Sequence, residues 1–188
     1  MRVFGIDPGS ARTGYGCVET DGSRHRIVTC GAIGISASAS FPDKLFEIHR
    51  RLTELLAECD PDAVAIESVF FSTNARSALK LGHARGVAVL AAVQAGLPVA
   101  EYTPAEIKRA VVGHGRAEKH QVQHMIKLLL GLPVAPSPHD AADALAVAIC
   151  HVHSQAPARV AALVALQGKG IPGAMKASKA TSWRSYRP

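Results

Sequence analysis

The sequence predicts an α/β fold built on a mixed sheet, and three observations predict it. Three strand-like runs follow one another at the start, joined by turn signals, which makes an antiparallel set. A fourth run is reached from an amphipathic helix, so it joins the same sheet as a parallel strand. A fifth follows a second helix. At 188 residues the chain has the size of one domain with a full core.

The elements follow in order. Arg2–Asp7 is apolar through Val3-Phe4-Gly5-Ile6 and ends on a carboxylate. Pro8 and Gly9 turn the chain, and Thr13–Glu19 returns as the second strand. This hairpin puts Asp7 at the mouth of a sheet, beside a tight glycine turn that a phosphate could approach closely. Asp21-Gly22-Ser23 signals a second hairpin into His25–Ile35. Ser36–Ser40 is a loop. From about Pro42 to Cys59, Leu45, Ile48, Leu52, Leu55 and Leu56 share one helical face, opposite Lys44, Glu47, Arg51 and Glu58.

Asp60-Pro61-Asp62 stops that helix, and Ala63–Glu67 is a short buried strand that also ends on a carboxylate. As a parallel neighbour of the first strand it would bring Glu67 to Asp7 at one sheet edge. Ser68–Thr73 is a loop with Phe70 and Phe71. A helix over Asn74–Ala95 is rich in small residues, which suit close packing against the sheet or against a second copy. Leu97–Tyr102 is the fifth strand. Thr103-Pro104-Ala105-Glu106 fits a capping box with Pro at the first helical position. Gly113-His114-Gly115 breaks the helix it starts. The segment 108–127 gathers cations and imidazoles, among them Lys108, Arg109, Arg116, Lys119 and Lys127, and a further helix closes near Leu130. Pro133–Pro138 is a stiff linker into a helix from Asp140 to about His153. Ala156–Pro188 lacks periodicity and is expected to be weakly ordered.

Charge divides the chain into 1–155 and 156–188. Against 15 acids stand 21 Lys and Arg, a net +6. Every acid precedes residue 156, so 1–155 is formally neutral and the excess sits on Arg159, Lys169, Lys176, Lys179, Arg184 and Arg187. An acid-free basic tail suits a polyanion, usually nucleic acid, and a purely solubilising tail is the alternative. No apolar run is long enough to span a bilayer and no secretory signal is visible. Cys17, Cys30, Cys59 and Cys150 form no CxxC, which points to free thiols in a reducing cytoplasm. Cys150-His151-Val152-His153 has no second ligand pair at zinc spacing and reads as a helix end with surface imidazoles.

The chemistry lies in four carboxylates. Asp140 and Asp143, three apart on a helix, face one way, in the first turn where the helix dipole favours negative charge. Asp140 also has a reading as a helix cap, and both stay open. Asp143 lies among Ala141, Ala142, Ala144, Leu145 and Ala146, so its helix is buried and an unpaired carboxylate there would be costly. Asp7, Glu67, Asp140 and Asp143 packed without counter-ions would repel. Oxygen-only ligands suit Mg²⁺ or Mn²⁺, and two such ions about 4 Å apart serve in-line phosphodiester hydrolysis.

Five motifs then carry a resemblance. Gly5-Ile6-Asp7-Pro8-Gly9 with Thr13-Gly14-Tyr15-Gly16 comes first, then Ala65-Ile66-Glu67. Ala78-Leu79-Lys80-Leu81-Gly82-His83-Ala84-Arg85-Gly86, Ala117-Glu118-Lys119-His120-Gln121-Val122 and Asp140-Ala141-Ala142-Asp143 follow in order. Together they resemble the RuvC family of bacterial Holliday-junction resolvases from residue 1 to about 153. The resemblance implies an RNase H-like fold, a five-stranded mixed sheet flanked by helices on both faces. It implies a homodimer that binds four-way junction DNA, nicks two opposing strands symmetrically, and works with the branch-migration proteins RuvA and RuvB. It implies Asp7, Glu67, Asp140 and Asp143 as catalytic ligands of two Mg²⁺ ions, with Mn²⁺ as a substitute. Phe70 falls where the family stacks an aromatic on a base, and Lys108 and Lys119 where it contacts DNA. Some members carry His in place of the first helix carboxylate, and His139 stands beside Asp140.

Three rival readings compete. A sugar-kinase or actin-type ATPase also opens on a strand, an acid and a glycine turn, but needs a second Asp-x-Gly turn and more chain. A catalytically silent DNA-binding module would not present bare acids to phosphates. Another RNase H-like nuclease differs only in substrate, and the motif match separates it.

Overall fold

The computed structural model describes residues 1–68 and 74–155 in full, and 156–167 as backbone alone. Its strands are β1 (Arg2–Asp7), β2 (Arg12–Thr20), β3 (His25–Gly34), β4 (Ala63–Glu67) and β5 (Val99–Tyr102). Its helices are α1 (Phe41–Cys59), α2 (Ala75–Gln94), α3 (Pro104–Val112), α4 (Lys119–Leu129) and α5 (His139–Gln167). The chain divides into two units, Met1–Ala156 and Pro157–Pro188. The sheet, the core and the candidate site lie in the first.

One five-stranded sheet has the order β3-β2-β1-β4-β5. β1, β2 and β3 pair antiparallel, while β4 joins β1 and β5 joins β4 in parallel. The expected mixed sheet is therefore present. Local chemistry sets its joints. Asp21 accepts hydrogen bonds from the amides of Ser23 and Arg24, both 2.8 Å, and Gly22 takes a positive φ, which closes the second hairpin. Ser40 caps α1, which ends where Asp60 turns left-handed. Thr103 and Glu106 form the expected capping box of α3.

Strand alternation divides the core. Phe4 and Ile6 of β1, with Val64 and Ile66 of β4, pack against Ile48, Leu52, Leu55 and Leu56 of α1 and Ala84, Ala88, Ala91 and Ala92 of α2. Val3 and Ala65 point the other way, to Ile107 and Val111 of α3, Val122 and Ile126 of α4, and Leu145 and Ile149 of α5. Helices thus cover both faces. Each fully buried Leu or Ile contributes about 1.5–3 kcal/mol. On α2, Gly82 and Gly86 lie on the open side, beside the exposed Leu79, Leu90 and Val93.

The strand glycines of the first motif make room for α5. A Cβ on Gly5 would collide with the carbonyl oxygen of Ala144, and one on Gly14 with that of Asp140. Gly5 pairs across the hairpin with Gly16, and Asp7 with Gly14. Together these glycines form a bare window on which the backbone of α5 lies. They let α5 lie directly on the sheet.

Two expectations for α5 are corrected. The helix runs through Gln167 instead of ending near His153. Val160–Gln167 is rich in Ala and Leu, strong helix formers, and this outweighs the missing polar–apolar period. His151 is buried rather than a surface imidazole: it shares a 2.9 Å hydrogen bond with the Tyr102 hydroxyl, while His153 bonds the carbonyl of Ala110. These imidazoles tie α5 to β5 and α3. All four cysteines are free, and no described helix is long and apolar enough to cross a membrane.

Candidate active site

Asp7 and Glu67 reach one place through strand periodicity. Val3, Gly5 and Asp7 alternate onto the α5 face of β1, as Ala63, Ala65 and Glu67 do on β4. The parallel register pairs Gly5 with Ala65 and Ile6 with Ile66, so the two acids follow side by side at the strand ends. Their side chains hydrogen-bond each other. The glycine window lowers the first turns of α5 onto the same corner. The carbonyl of Asp140 lies over Gly14, the pairing partner of Asp7. All four carboxylates are half-buried, and the charges of Asp140 and Asp143 both act on Asp7.

The electrostatics follow from this crowding. Burial, and then the charge of Glu67, push the Asp7 carboxyl well above the usual carboxylate range. Glu67 is raised by burial too. The hydrogen bond from Asp7 and the charges of Lys119 and Lys108 pull it back. Burial and mutual repulsion thus oppose charge on both members of the Asp7–Glu67 pair. Lys119 Nζ lies 2.6 Å from Asp143 Oδ2, and this bond raises the ammonium above its ordinary value. Arg12, the first residue of β2, lies 3.5 Å from Asp140 Oδ2. Three cations, Lys119, Arg12 and Lys108, thus stand against the four acids.

A cleft of about 210 Å³ opens on this corner, lined by Glu67, Asp143, Lys108 and Lys119 among others. Six of the seven sequence candidates come together here: Asp7, Glu67, Asp140, Asp143, Lys108 and Lys119. The seventh, Phe70, lies outside the described residues, as does Phe71. His139 is exposed, and its Nδ1 is 2.7 Å from the side chain of Gln123. Arg12 escaped the sequence reading because it lies where a turn gives way to a strand, outside any alternation that would mark it. Its signal was its place just past the turn that follows the Asp7 strand. A larger cleft of about 530 Å³ opens at the opposite end of the sheet by Met1, Glu19 and Arg26, where Glu19 is already paired with Arg2 and Arg26. Asp21, which also lines it, is engaged in its own hairpin turn with the amides of Ser23 and Arg24.

The donors suit a hard divalent cation: oxygen ligands only, two of them crowded together where burial and repulsion oppose their charges. Among the described residues, no three Asp, Glu, His or Cys side chains are gathered tightly enough to hold an ion as they stand. Asp143 and Asp140 are engaged by Lys119 and Arg12 instead.

Comparison with known proteins completes the picture. The family model described as crossover junction endodeoxyribonuclease RuvC matches residues 3–151. The crossover junction endodeoxyribonuclease RuvC of Pelobacter propionicus is 53% identical over 188 residues, covering 100% of both chains. The structure of Thermus thermophilus RuvC superposes with a TM-score of 0.77 at 38% identity, covering 86% of this chain and 97% of that one. The same organism's RuvC in complex with Holliday junction substrate superposes with a TM-score of 0.76 at 35% identity, covering 85% and 96%. The five-stranded mixed sheet is the RNase H-like sheet of these resolvases, and this chain belongs to the RuvC family of crossover junction endodeoxyribonucleases.

Proposed function

We propose that this chain cuts four-way DNA junctions by metal-dependent, symmetric nicking of two opposing strands, in recombination and repair. One observation carries the reading. Asp7 and Glu67 meet on one sheet face, and glycines seat the Asp140–Asp143 turn of α5 directly over them, in a chain of the RuvC family. Asp7, Glu67, Asp140 and Asp143 would hold two Mg²⁺ ions, with Mn²⁺ as a substitute. Bound there, such ions supply an activated water for in-line attack on the phosphodiester and stabilise the leaving 3′ oxygen.

The chain's own residues do the rest. Lys119 and Lys108, on the Glu67 side of the cleft, bind backbone phosphates. Lys119 gives up Asp143 cheaply, because a half-exposed ion pair contributes little stability. Phe70 stacks on a base exposed at the junction centre, an interaction of about 1–3 kcal/mol. Residues 1–155 carry the nuclease chemistry, and 156–188 add a basic tail for DNA. A homodimer uses the open face of α2, where Leu79, Leu90 and Val93 are exposed around Gly82 and Gly86. RuvA and RuvB are the expected branch-migration partners by family likeness. The free thiols fit the cytoplasm. The decisive experiment compares an immobile four-way junction with linear duplex, with and without Mg²⁺. Paired, symmetric nicks in the junction alone are expected. Equal cutting of duplex would remove junction selectivity, and no cutting with Mg²⁺ or Mn²⁺ would remove the nuclease reading.

A further inference from the structure

The two lysines that the resemblance marks for DNA contact stand on one side of the acids, toward β4 and β5. Lys108 of α3 and Lys119 of α4 line the cleft beside Glu67 and Asp143. A strand gripped from that side alone could pivot across the four carboxylates. On the other side stands Arg12. Its turn is braced: Thr13 Oγ1 donates to the Gly9 carbonyl at 2.9 Å, and Thr13 itself is fully buried. Gly9 has no room for a Cβ against the Arg12 carbonyl, so this turn is tight and its exit fixed. Arg12 thus begins β2 at a set point, with its side chain 56% exposed and its guanidinium 3.5 Å from Asp140.

We propose that Arg12 is a phosphate-binding residue of the substrate site, gripping the DNA strand on the side of the acids opposite Lys108 and Lys119. The inference rests on the junction-nuclease reading and adds a further grip to it. A guanidinium bonds phosphate oxygens in a planar fork, which suits a strand that must be held at a fixed angle. The pair with Asp140 is long and solvent-exposed, so it contributes little and yields readily to a phosphate. Until DNA arrives, Arg12 screens Asp140. Once the strand lies across the site, the same side chain spans from the acids to the backbone.

The test measures junction affinity of the full-length chain in chelator, where no cutting confuses binding, over a series of salt concentrations. Arg12→Ala should weaken binding and reduce the salt slope by about one. Arg12→Lys should retain the slope. Arg24→Ala removes the same charge beside Asp21, at the opposite end of the sheet, and should leave the slope unchanged. In Mg²⁺, Arg12→Ala should raise KM for the junction, with Arg12→Lys intermediate. An Arg12→Ala slope equal to wild type overturns the proposal, even if Tm or Mg²⁺ affinity falls, because that pattern belongs to a residue that merely supports Asp140. Arg12→Gln repeats the measurement should the alanine variant fold poorly. Failure of the nuclease reading is separate, since it would show as wild-type protein that cuts no junction in Mg²⁺.

Discussion

Asp7 sits where burial and three neighbouring acids oppose its charge. Asp7→Asn removes the charge while keeping shape and hydrogen bonding. Cleavage in Mg²⁺ should fall by about three orders of magnitude or more. Junction affinity in chelator should stay within a few-fold, and cutting near the wild-type rate would strip Asp7 of its role. His151 is the opposite kind of residue, buried for structure. Burial lowers its pKa, so the fold holds the neutral imidazole. Its contribution to stability is complete above the ordinary value near 6.5 and is lost as pH falls through the depressed folded value. The Tm of wild type should therefore drop more steeply between pH 7 and 5 than that of His151→Gln. Parallel curves would show that the imidazole does not titrate against folding.

The element that decides the site is α5, and what places it is absence of side chain. Gly5 lets the Ala144 carbonyl approach β1, and any Cβ there pushes the helix, with Asp140 and Asp143, off the sheet. Gly5→Ala should cost about 1–3 kcal/mol or more and lower cleavage along with Tm. Gly34→Ala, with nothing within 4 Å, should change stability by less than about 0.5 kcal/mol. Comparable Tm values for the two would deny the glycine window its purpose. In the sequence these glycines read only as strand positions, because a close approach from a helix more than 120 positions away leaves no local trace.

Across the whole molecule the charge is uneven, and DNA binding should reflect it. Truncation after Gln167 keeps α5 entire and removes Lys169, Lys176, Lys179, Arg184 and Arg187. The salt dependence of non-specific DNA affinity should become shallower, by up to about 0.9 for each phosphate that the tail no longer neutralises. Junction cutting at low salt should persist. An unchanged slope would make the tail a spacer. A cut at residue 155 would confound the result, because it also shortens a helix that the sequence placed as ending near His153.

What the sequence determined alone is what local chemistry can encode. Alternation and turns marked the strands. The leucine stripe marked α1, and Thr103–Glu106 marked the start of α3. The four acids were legible because they stand at strand ends or in the first turn of a helix, where a charge has no packing reason to be, whereas Lys108, in the middle of α3, and Lys119 were picked out by the family resemblance. Tertiary structure alone decided the shared face of Asp7 and Glu67, the glycine seat of α5, the anchoring of His151 by Tyr102, and the engagement of the acids by Lys119 and Arg12. Each of these depends on strand register or on a close approach between distant segments. Such approaches are selected by packing the whole core at once, and no window of neighbouring residues contains them.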